Sequence, residues 1–66
     1  MSDYIIDASI DHETSKVYAV NVSTPDGKHV GRWEEPHAGP VVADFKDKDE
    51  VRRVVDEIRA IRFHLS

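Results

Sequence analysis

Val17-Tyr18-Ala19-Val20-Asn21-Val22-Ser23-Thr24-Pro25-Asp26-Gly27-Lys28-His29-Val30-Gly31-Arg32-Trp33 is the stretch on which the fold reading turns. Its centre, Thr24 to Gly27, is the strongest local signal in the chain. Pro25 presets the first turn angle, Asp26 can cap the turn, and Gly27 can take the positive φ that closes a three-residue hairpin loop. The flanks are β-branched and aromatic, as strands prefer. The stretch therefore reads as a β-hairpin, with strands over about 17–23 and 28–34.

On the N-terminal side, Tyr4 to Ile10 alternates with period two. Tyr4, Ile6, Ala8 and Ile10 point one way; Ile5, Asp7 and Ser9 point the other, as in a half-buried strand over about 4–10. Asp11-His12-Glu13-Thr14-Ser15 is a polar break and reads as a turn. If Thr24 faces Lys28, Val22 faces Val30 and Ala19 faces Trp33. Setting Ile10 opposite Tyr18 brings Ala8 to Val20 and Ile6 to Val22. The expected core face is then Tyr4, Ile6, Ala8, Ile10, Tyr18, Val20, Val22 and Val30. A one-residue slip would carry Asp7 and Ser9 into that row, and burial opposes it.

On the C-terminal side, Glu35-Pro36-His37-Ala38-Gly39-Pro40 reads as a loop, and Val41 to Phe45 as either a short fourth strand or an extended segment. Asp47, with Glu50 three residues on, makes a capping-box-like helix start. Val51, Val54, Val55, Ile58, Ile61 and Leu65 recur at helical spacing, which predicts a helix over about 48–62. Phe63 falls off that stripe, so the tail is either helical with Phe63 on its flank or extended. The expected fold is α+β: an antiparallel meander of three or four strands with one C-terminal helix packed on one face.

Sixty-six residues suit one domain, 1–66, with a marginal core. The chain has no cysteine, which excludes disulfides, thiolate zinc sites and thiol redox chemistry. Self-association is then the expected source of extra stability. The net charge is −4 and the pI about 5.4, which argues against a nucleic-acid partner. Met1 to Asp7 shows no basic region followed by an apolar core, and no apolar run approaches the roughly 20 residues of a membrane span. A cytoplasmic location and no membrane partner are expected.

The four histidines, His12, His29, His37 and His64, fall on separate elements, and none has a partner at zinc-motif spacing. Asp11-His12-Glu13 reads as solvated turn, because three neighbours in a turn cannot all face one ion. There is no phosphate loop, nucleophile elbow or defensible carboxylate pair. The reading therefore expects no enzyme, catalytic residue, metal or cofactor. It expects a protein-interaction module working as a homo-oligomer or with a protein partner. Trp33, Val17, Ala19 and Ile5 are expected together on the outer sheet face as the interface, with Phe63 as an outlying contact. The alternative is an acidic inhibitor or antitoxin-like module that engages a basic partner, a nucleic-acid-binding protein among the candidates, through Glu34, Glu35, Asp44, Asp47, Asp49 and Glu50.

Three meandering strands followed by a helix are similar in element order to the opening half of the ribonuclease-H-like fold. They also resemble its truncated version in some bacterial antitoxins. Tyr4-Ile5-Ile6-Asp7-Ala8-Ser9 resembles the strand opening that presents an acidic metal ligand in active members, with Asp7 at that position. Ala8 stands where glycine is usual, and the remaining carboxylates do not appear. The resemblance implies a binding module rather than a nuclease; a metal-dependent hydrolase would be built on Asp7.

Overall fold

The computed structural model describes residues 3–46 and 48–61. Strands β1 (Ile5–Asp11), β2 (Lys16–Ser23), β3 (His29–Glu34) and β4 (Val42–Phe45) precede one helix, α1 (Lys48–Ala60). The strands form an antiparallel sheet in the order β1-β2-β3-β4, and α1 packs on one face, chiefly over β2 and β3 and reaching β4. The expected α+β architecture holds, and Val42–Phe45 is a strand rather than a merely extended segment. Asp47, Phe63, His64 and Leu65 lie outside the described residues.

The hairpin turn forms as its residues demand. The Gly27 N–H donates to the Thr24 carbonyl at 2.9 Å, the Thr24 N–H donates to the Lys28 carbonyl at 2.8 Å, and Gly27 has φ 91°. The Thr24 hydroxyl accepts from the Lys28 N–H at 3.1 Å and donates to the Asp26 carboxylate. That hydroxyl is the main reason the Asp26 pKa lies below its ordinary value. A carboxylate with a lowered pKa stabilises the fold above its unfolded pKa, and the contribution fades as pH falls through the folded one. NMR titration should therefore find the Asp26 midpoint below that of an ordinary aspartate, and Thr24→Val should raise it. A midpoint unmoved by Thr24→Val would contradict this arrangement.

Beyond the turn, two bulges rewrite the expected register. Ser23 pairs with His29, but Val22 pairs with Gly31, leaving Val30 as an extra residue. Trp33 consequently faces Val20 rather than the expected Ala19. In the other hairpin, Ile6 faces Val22 and Ala8 faces Val20 as expected, but Ile10 faces Val17 and Tyr18 is the extra residue.

Both bulges have a physical reason. With Val30 in the core row, Arg32 and Glu34 would share its face and lie toward the helix. The bulge turns them outward and brings Gly31 and Trp33 in; burying an indole is strongly favourable, and burying unpaired charges is costly. At Tyr18 the exchange brings in Val17, which has no hydroxyl to satisfy. Among the described residues no polar or charged residue is buried. A bulge is the local device that re-aims side chains in this way.

The resulting core comprises Val17, Val20, Val22, Trp33, Val51 and Val55, with Tyr4, Ala8, Ile10, Val30, Phe45 and Ile58 packed against it. Gly31 lies under the helix, where an added Cβ would come 2.6 Å from Val51 Cγ1 and 3.1 Å from Phe45 Cδ1. Helix α1 carries Asp49 and Glu50 in its first turn and Arg59 in its last, matching the helix dipole.

Candidate protein-interaction surface

A helix about 10 Å across covers roughly two strands spaced about 4.8 Å apart. One helix cannot cover four strands, and here α1 is centred away from β1. Ile6 shares the helix-side face with Val22 yet is 40% exposed, and Ile5 on the opposite face is 52% exposed. Tyr18, pushed out by its bulge, is 45% exposed beside Ile10. Strand β1 is also a sheet edge of seven residues, Ile5–Asp11, without proline or lysine. Natural edge strands are commonly guarded by such residues, because an open edge presents unpaired N–H and C=O groups.

The expected interface residues do not meet on one surface. Trp33, 4% exposed, and Val17 belong to the core under the helix. The Arg59 guanidinium lies over the Trp33 ring, 4.2 Å from its centroid, and completes its cover. Ala19 stays on the outer face, buried between Ser9 and Glu34, and Ile5 stays outer and exposed. The register expectation for Trp33 and Val17 is corrected by the two bulges. The missed signal was the incompatibility of Arg32 and Glu34 with a core row led by Val30.

The acidic residues are dispersed. Glu34 pairs with Arg32 at 3.2 Å on the outer face, where Asp44 stands opposite Arg32 across β3 and β4. Glu35 follows in the loop, its backbone N–H bonded to the Tyr18 carbonyl at 2.8 Å. Asp49 and Glu50 belong to the first turn of α1. Asp7 is exposed opposite Asn21, and among the described residues no three His, Cys, Asp or Glu side chains gather so as to hold a metal ion. His12 and His37 line an open hollow with Ile10, Asp11, Glu13 and Tyr18, while His29 lines another with Lys28 and Lys46. No helix among the described residues is long and apolar enough to cross a membrane.

Among the described residues, the fold and surface define a four-stranded antiparallel α+β unit whose first edge, β1, has no neighbouring strand on its outer side. No family model, curated protein or solved structure matches the chain.

Proposed function

We propose that the protein is a non-enzymatic interaction module that self-associates through the sheet margin at β1. The observation carrying this reading is a seven-residue edge, open among the described residues, whose Ile5 and Ile6 are both exposed. Exposed apolar groups beside unpaired backbone are the features that strand-addition interfaces use. The proposed interface thus lies at β1, two strands from Trp33, with Ile5 retained and Ile6 and Tyr18 added.

Ile6→Lys is the direct test, because Ile6 is exposed enough for the fold to tolerate the change. Sedimentation equilibrium should find a concentration-dependent mass for the parent chain and a monomer for the variant. Equal self-association of both chains would contradict the reading. The acidic alternative separates from it by salt: binding a basic target through Glu34 to Glu50 would weaken steeply as ionic strength rises.

A further inference from the structure

Resting on that reading, the geometry points to a specific occupant of the open edge: β1 of a second copy, antiparallel and centred on Ala8. A two-fold axis perpendicular to the sheet brings the same strand of both copies together and keeps both helices on one side. It also sets some residue opposite its own counterpart, and the residues of β1 decide which one.

Centred on Ala8, the strands overlap along their full length, Ile5–Asp11. Ile6 then faces the second copy's Ile10, Ala8 faces its own counterpart, Asp7 faces Ser9, and Ile5 faces Asp11. Every helix-side pair is apolar, and no two acids stand directly opposite. Centring on Asp7 would oppose two carboxylates, and centring on Ser9 would oppose Asp7 to Asp11 twice; like charges directly opposite are destabilising. Centring on Ile6 or Ile10 shortens the overlap. The product is a continuous eight-stranded sheet in which Ile6, Ala8 and Ile10 of both copies floor a trough between the two helices. On the other face, the Asp7 and Asp11 carboxylates of both copies come near one another diagonally. Added salt screens that repulsion, so it should tighten this dimer.

The chain has no cysteine, so single introduced cysteines report the register directly. In a dimer of Ala8→Cys chains, the two substituted positions meet at the axis with Cα atoms about 4.5–5.5 Å apart, within disulfide reach. In a dimer of Ile5→Cys chains, the two substituted positions are separated by about 20 Å along the strands. Under mild oxidation at dimer-forming concentrations, Ala8→Cys should cross-link on the order of tenfold faster than Ile5→Cys, despite Ile5 being the more exposed site. A mixture of Asp7→Cys and Ser9→Cys chains repeats the test on the outer face and replaces Ala8→Cys should that variant fold poorly. A monomer at every concentration would overturn the inference. A dimer abolished by Ile6→Lys but without preferential cross-linking at Ala8 or between Asp7 and Ser9 would overturn this pairing and leave the β1 interaction standing. A dimer indifferent to Ile6→Lys would overturn both.

Discussion

Trp33→Ala is expected to remove a large share of the chain's folding stability, rather than leave it intact with altered association. Truncating a buried tryptophan costs about 3–5 kcal/mol. At about 0.05–0.15 kcal/mol per residue, a chain of 66 residues has only roughly 3–10 kcal/mol of stability to lose. Trp33 is 4% exposed and its ring is stacked by Arg59, so no solvent-side relaxation softens the loss. Circular dichroism with a urea titration reads the result. A variant with parent-like stability and only a changed oligomeric state would return Trp33 to an open face and contradict the β2–β3 register.

Gly31→Ala should lower stability by about 1–3 kcal/mol, because the added methyl overpacks the helix–sheet contact. At about 4–8 °C per kcal/mol for a domain of this size, the melting temperature should fall by roughly 5–20 °C. Backbone φ is not the reason, since Gly31 is not among the positive-φ glycines; the space taken by Val51 and Phe45 is. Val51→Ala, destabilising alone, should be partly compensatory in the Gly31→Ala background, and a double-mutant cycle measures that coupling. Additive losses, or an unchanged melting temperature for Gly31→Ala, would contradict the placement of α1 over β3.

The element order was legible because its signals are local. Thr24-Pro25-Asp26-Gly27 specifies its turn, period two marks β1, and Val51, Val55 and Ile58 recur at helical spacing. The β1 face was legible too, since Asp7 and Ser9 can only lie opposite Ile6 and Ala8. What escaped was the single extra residue in each hairpin. A bulge leaves little trace in local propensity, yet it reverses the facing of every residue beyond it. Val30 and Tyr18 look like core residues in an unbroken alternation. Only weighing whole faces reveals the conflict, with Arg32 and Glu34 beneath a helix on one side and Trp33 in water on the other. The interface expectation inherited that reversal: Trp33 and Val17 moved to the core, while Ala19 and Ile5 stayed outside. The open margin at β1 was not readable from local pattern, because it follows from where one helix comes to rest on four strands.

The central claim, that the chain associates through β1 and not through a surface around Trp33, is tested most directly by amide and side-chain NMR over a concentration series. Shifts should concentrate in Ile5 to Asp11 and at Tyr18, while the Trp33 indole stays unmoved. Shifts centred instead on Arg32, Glu34, Val42 and Asp44, with β1 silent, would contradict it.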